Sequence, residues 1–167
     1  SRLSPQGEAL VRALVAEGIL VDVAHLPDAA FPQVLALVPQ GTPIISSHGG
    51  ARALCPNGRN LSDDHMRAVA DTGGFVAVTF HGPLLRCGGG PASLDDVVAH
   101  VQHMLEVVGP DHVAVGTDLE GRIEPVPDLA RLWDVHALGT ALLAAGVDSE
   151  TVQAVMSGNV ARVLAPR

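Results

Sequence analysis

The sequence has no lysine and no tyrosine; its ten Lys+Arg residues are all arginine, and aromatic residues make up 2% of the 167 positions. Without aromatics, the core has to be built from Ala, Val and Leu. The missing lysines, with the Ala- and Arg-rich composition, point to a GC-rich bacterial source. Positive charge is also scarce, since the formal net charge is -8. That balance argues against nonspecific binding to nucleic acid or to anionic lipid, which requires basic patches. No apolar run approaches the ~20 residues of a membrane-crossing helix. No signal peptide is visible after Ser1, so a soluble protein is expected, with the bacterial cytoplasm the favoured compartment. The only cysteines are Cys55 and Cys87, too few for a four-cysteine zinc site. They leave two readings open: one disulfide closing a long loop, worth roughly 3–4 kcal/mol in the chain-entropy model, or two buried thiols.

Hydrophobic residues are abundant at 47%, enough for a globular chain with a real core. They follow a repeated helix-then-strand rhythm. Ser4 and Pro5 open a first helix with an apolar stripe of Leu10, Val11, Leu14 and Val15, and Gly18 suits its C-terminal turn. The β-branched run ILVDVAH then reads as a strand. A second unit takes Asp28 as cap, runs to Gly41 and continues into the strand PIISSH. A third takes Ser62 as cap, ends at Gly73-Gly74 and leads into FVAVTFH. The fourth is SLDDVVAHVQHMLEVVG, with Ser93 and Asp96 spaced as a capping box, followed by HVAVGTD. Two further helices are expected near 129–145 and 149–164. Strands separated by helices imply parallel pairing with right-handed crossovers. The strands are nearly all apolar, which suits burial of both faces. Four such units form either a small open sheet or half of an eight-stranded barrel, because a full barrel needs about 250 residues.

The polar residues at the four strand ends are His25, His48, His81 and Asp118. In parallel α/β folds, ligands bind at the C-terminal ends of strands. Imidazole and carboxylate without cysteine suit zinc in a catalytic rather than a structural site. Gly49 and Gly50 after His48 either leave room for a ligand beside the ring or form an ordinary tight turn. Arg52 and Arg59 lie in the long loop RALCPNGRN. A guanidinium fork there matches a substrate carboxylate, or else is simply solvated. Asp118, with Glu120 two residues on, is placed to exchange a proton with metal-bound water or a leaving amine; the bland alternative is a turn carboxylate. Other histidines fit less well. His100 and His103 share a face of a mid-chain helix, in the layer that covers the sheet. His112 opens a strand and so lies at the opposite end of the sheet. His65 is expected to be exposed, and His136 has no visible partner. Strand parity sets Asp22 on the opposite face from His25.

Taken together, GILVDVAHLPDAAF, PIISSHGGARALCPNGRNLSDD, GGFVAVTF, SLDDVVAHVQHMLEVVGPDHVAVGTDLEG and SGNVARVL resemble the C-terminal half of the membrane (renal) dipeptidase family across essentially all residues 1–167. The resemblance implies a single domain that is half of a TIM-like (β/α)8 barrel of the metal-dependent hydrolase type. It implies two zinc ions in a complete site, with His25 and His48 as metal ligands. Arg59 would hold the substrate carboxylate and Asp118 would handle a proton, and the substrates would be dipeptides, some with a D-residue at the C-terminal side. His81 stands where the family has a tyrosine, and Glu120 where it has an aspartate. The family's His-x-Asp motif and bridging glutamate belong to the other half. A missing N-terminal half or a second copy is therefore the expected partner. A non-enzymatic binding or assembly module, and another metal-dependent hydrolase on the same barrel, are the competing expectations.

Overall fold

The computed structural model describes residues 1–165. Four short parallel strands lie side by side in chain order: β1 (Val21–Asp22), β2 (Ile44–Gly49), β3 (Val76–Val78) and β4 (Val113–Val115). In register, Val21 faces Ile44, Ser46 faces Val76 and Val76 faces Val113. A shift between Ser46 and Gly49 marks an irregularity in β2, just where it reaches His48. Sequential parallel order requires a crossover between each pair of strands, and the helices supply it.

The helix signals largely hold. Helix α1 (Pro5–Ala16) starts at Ser4, whose hydroxyl accepts from the Gly7 N–H, and Gly18 closes it at φ +69°. Helix α3 (Asp63–Asp71) is capped by Ser62, which accepts from the His65 N–H. Helix α5 (Leu94–Val108) begins with Asp96 accepting from both the N–H and the hydroxyl of Ser93. Helix α2 (Phe31–Leu37) differs, because its N-cap is Ala30 and no side chain caps it. The expected cap, Asp28, is instead engaged by Arg52. A short α4 (Gly82–Leu85) follows His81. The predicted helix over 129–145 begins as two 3-10 turns, Pro127–Leu129 and Leu132–Asp134, before α6 (Val135–Ala144). The last predicted helix is one continuous rod with a π segment, Ala154–Gly158, between α7 (Ser149–Gln153) and α8 (Asn159–Leu164).

The two-residue period of a strand splits the sheet's side chains between two faces. Ile44, Val76, Val78 and Val113 join the main core, with Phe31, Met66, Val97, Val101 and Met104 from the helices. On the other face Ala77, Ala114 and Phe75 pack with Ile45, Leu20, Val160 and Val163 in a small cluster. Helix α8 approaches the sheet at the N-terminal ends of the strands, where Asn159 Nδ2 donates to the carbonyls of Pro110 and Val113. The opposite ends, with His25, His48 and Asp118, are left to loops.

Candidate functional site

His25, His48, Arg59 and Asp118 come together beyond the C-terminal ends of the strands. The strand β1 stops at Asp22, and His25 sits in the turn after it at φ 68°. Asp118 occupies a similar turn after β4 at φ 60°. Left-handed backbone at a residue other than glycine is uncommon and concentrates at functional sites. Gly121 lets the Asp118 turn close: a Cβ on it would lie 2.1 Å from Asp118 Oδ1. The two imidazoles meet edge to face, with Nε2 of His25 and Nε2 of His48 2.6 Å apart. Arg59 Nη2 is 2.7 Å from His25 Nε2, and Asp118 Oδ2 is 4.0 Å from His48 Nε2.

The hydrogen-bond directions assign the protons. Arginine can only donate, so His25 Nε2 accepts from Arg59 and carries a lone pair. On the other ring, the Ser47 hydroxyl donates to Asp22 Oδ2, which leaves Ser47 Oγ to accept from His48 Nδ1 at 2.9 Å. A neutral His48 protonated on Nδ1 has its lone pair on Nε2. The two Nε2 atoms lie 2.6 Å apart, and a metal cation that displaced the Arg59 N–H from His25 would meet a lone pair on each ring. Burial, the Arg59 guanidinium and the His48 ring all push the His25 pKa below the ordinary imidazole value, Asp118 and Asp22 opposing them. That favours the unprotonated, ligating form of His25. The donors fit a zinc ion in chemistry and direction, yet they are only part of a set. Among the described residues no three His, Cys, Asp or Glu side chains converge as a metal-binding group.

Strand parity predicts Asp22 on the face away from the site, but its carboxylate is bonded to Ser47, the residue beside His48. Parity fails because the strand ends at Asp22 and the chain turns before His25. Arg52, a candidate site-lining residue, is clamped away from the histidines: its two terminal nitrogens bind Asp28 at 2.6 and 2.8 Å, and its Nε donates to the Asn60 carbonyl. Arg52 in turn holds the Asp28 carboxyl below its usual pKa. His65 is not free in solvent but stacks on Phe31 with ring centroids 4.1 Å apart. The His81 Nδ1 accepts from the Glu124 N–H and so anchors the loop that follows Asp118. Glu120 is exposed and lines, with Asp118, Leu132 and Trp133, a cavity of about 660 Å³. His100 is buried and structural: Nδ1 accepts from the Ala51 N–H and Nε2 faces the Leu85 carbonyl.

The loop that carries Arg59 is unusually well tied. Cys55 and Cys87 are joined in a disulfide. Asn60, fully buried, accepts from the Gly50 N–H and donates to the carbonyls of Cys55 and Leu84. The two glycines after His48 divide their roles. A Cβ on Gly49 would meet nothing within 4 Å, whereas one on Gly50 would come within 2.7 Å of the Leu84 carbonyl oxygen. Gly50 is thus a packing requirement, while the space lies beside Gly49. Nothing in the sequence marked Asn60 except its place in an N-G-R-N turn. Asn60→Leu should lower unfolding free energy by about 3 kcal/mol or more, since it strands a buried N–H and a buried carbonyl. Urea denaturation, with the slope compared to wild type, measures this.

Comparison with known proteins follows the same outline. The family model for membrane dipeptidases, peptidase family M19, matches residues 1–166. An uncharacterized protein in the pqqA 5' region of Klebsiella pneumoniae is 33% identical over 97% of this chain, which spans 60% of that relative. Dipeptidase tcpJ of Claviceps purpurea is also 33% identical, with 97% of this chain and 38% of its own length covered. The crystal structure of a Rhodobacter sphaeroides metallopeptidase, liganded with a phosphinate mimic of the dipeptide L-Ala-D-Ala, superposes with a TM-score of 0.91 at 27% identity, over 98% of this chain and 47% of that one. The chain thus spans about 40 to 60% of the length of these proteins. It has the four-stranded parallel half of their α/β barrel fold, and it belongs to the membrane dipeptidase family, peptidase family M19.

Proposed function

We propose that this chain carries one half of the site of a zinc-dependent dipeptidase, which cleaves the peptide bond of dipeptides and accepts a D-residue on the C-terminal side. The observation that carries the reading is the pair of imidazole Nε2 atoms converging beside Arg59 and Asp118. The dipeptide mimic in the Rhodobacter sphaeroides neighbour supports the substrate class. His25 and His48 would hold zinc. When bound, zinc polarises the scissile carbonyl and lowers the pKa of water. Arg59 receives the substrate's terminal carboxylate through its guanidinium fork. Asp118 accepts a proton as water adds to the carbonyl carbon and returns it to the departing amine nitrogen as the C–N bond breaks. Two imidazoles fall short of the three protein ligands usual in catalytic zinc sites. The remaining ligands come from sequence beyond these residues or from a second copy.

Elemental analysis of zinc per chain, on protein dialysed without chelator, tests the reading together with hydrolysis of L-Ala-D-Ala. About two zinc ions per complete site and chelator-sensitive cleavage are expected. Zinc with cleavage of a phosphoester or lactone but of no dipeptide would overturn the substrate; no zinc and no cleavage would leave a binding module.

A further inference from the structure

We propose that Asp22 is a positioning residue for both histidines, and that the Ser47 hydroxyl relays its charge so that His48 presents an unprotonated Nε2. The inference rests on the reading of His25 and His48 as metal ligands.

Among the described residues, Asp22 is the one side chain bonded to the backbone beside both histidines. Its Oδ1 accepts from the Ala24 N–H at 2.9 Å, one residue before His25, and from the Ser47 N–H at 3.0 Å, one residue before His48. The first bond forms an Asx-type turn, which sets the chain into the left-handed conformation of His25. The second ties that turn to β2 across the sheet. One carboxylate oxygen thereby fixes the separation of the two rings.

Its other oxygen fixes a direction. An ionised carboxylate can only accept. Ser47 has one hydroxyl proton, and giving it to Asp22 Oδ2 obliges Ser47 Oγ to accept from His48 Nδ1. The chain of bonds runs from His48 to Ser47 to Asp22 and cannot be reversed while Asp22 stays a carboxylate. Asparagine at position 22 has nearly the same shape but permits reversal: its amide N–H donates to Ser47 Oγ, and the Ser47 hydroxyl donates to His48 Nδ1. The ring proton then moves to Nε2, where it blocks ligation. Partners of this kind behind metal-binding histidines typically contribute 10–100-fold to metal affinity.

Asp22→Asn in the full chain tests this through long-range nitrogen–proton NMR of the histidine rings, metal-free and at a pH where imidazole is neutral. Wild type should show the proton on His48 Nδ1 and the variant should show it on Nε2. Zinc affinity, from competition with a chromophoric chelator, should fall about 10–100-fold. Ser47→Ala, which removes the relay but leaves Asp22 bonded to backbone, should also weaken zinc, and Ser47→Thr should restore it. An unchanged proton position in Asp22→Asn would overturn the relay, even if affinity fell through distortion of the turn. A wild type with the Nδ1 proton but no zinc affinity, even in the assembly that supplies the remaining ligands, would overturn the dipeptidase reading and leave the relay standing. If Asp22→Asn fails to fold, unaltered zinc affinity in Ser47→Ala would overturn the proposal by itself.

Discussion

His48→Ala is expected to abolish metal-dependent hydrolysis, lowering kcat/KM by at least about 10³-fold, with a zinc content below that of wild type. The effect is large because His48 is connected on every side of its ring. Nε2 faces His25 at 2.6 Å and Asp118 at 4.0 Å, and Nδ1 is tied through Ser47 to Asp22. Alanine removes one of two imidazole donors and leaves the other without a partner across the gap. The core should be spared, because His48 lies at the end of β2 and the main cluster is built from Ile44, Val76 and their neighbours. Circular dichroism and the thermal midpoint should therefore stay close to wild type. Unchanged turnover in a folded variant would remove His48 from the site.

Arg59→Ala is expected to raise KM for dipeptides about 10–100-fold, while changing KM for C-terminally amidated analogues about twofold or less. Hydrogen bonds to charged groups contribute about 1.5–3 kcal/mol, and a bidentate guanidinium–carboxylate pair lies at the strong end. Arg59 is exposed, with its terminal nitrogen beside His25. A carboxylate arriving there meets a cation and displaces little structure. Arg59→Lys tests the geometry, since lysine keeps the charge and loses the fork. Partial recovery is expected. Equal effects on free and blocked substrates would remove the carboxylate clamp.

Local signals carried much of this architecture. Pro5 after Ser4, Ser62 before two aspartates and Ser93 with Asp96 each cap a helix as their spacing suggests, because capping is settled within a few residues. Apolar runs bounded by glycines indicate the parallel order, and of the strand-end residues His25, His48 and Asp118 do converge, while His81 is bonded to the Glu124 N–H. What escaped reading depends on contacts between distant residues. Asp28 looks like a cap until Arg52, far along the chain, arrives beside it. Asp22 looks as if it faces away until the turn at His25 breaks the strand alternation on which that inference relied. Asn60 is an ordinary turn residue until Gly50, Cys55 and Leu84 close around its amide. The apolar helix pattern near residue 129 also hides two tight turns, because 3-10 and α segments share nearly the same spacing of apolar residues over so few positions.

The loop between β2 and α3 is held at both ends and in the middle: Leu61 N–H to the Gly50 carbonyl, Arg52 N–H to the Leu61 carbonyl, Asn60 at the base and the Cys55–Cys87 link to the segment after α4. In solvent deuterium, its inner amides should therefore exchange on the same slow clock as the strands, opening only with the whole fold rather than by local fraying. Arg59, directly before the buried Asn60, then has little backbone freedom left to lose when a ligand arrives.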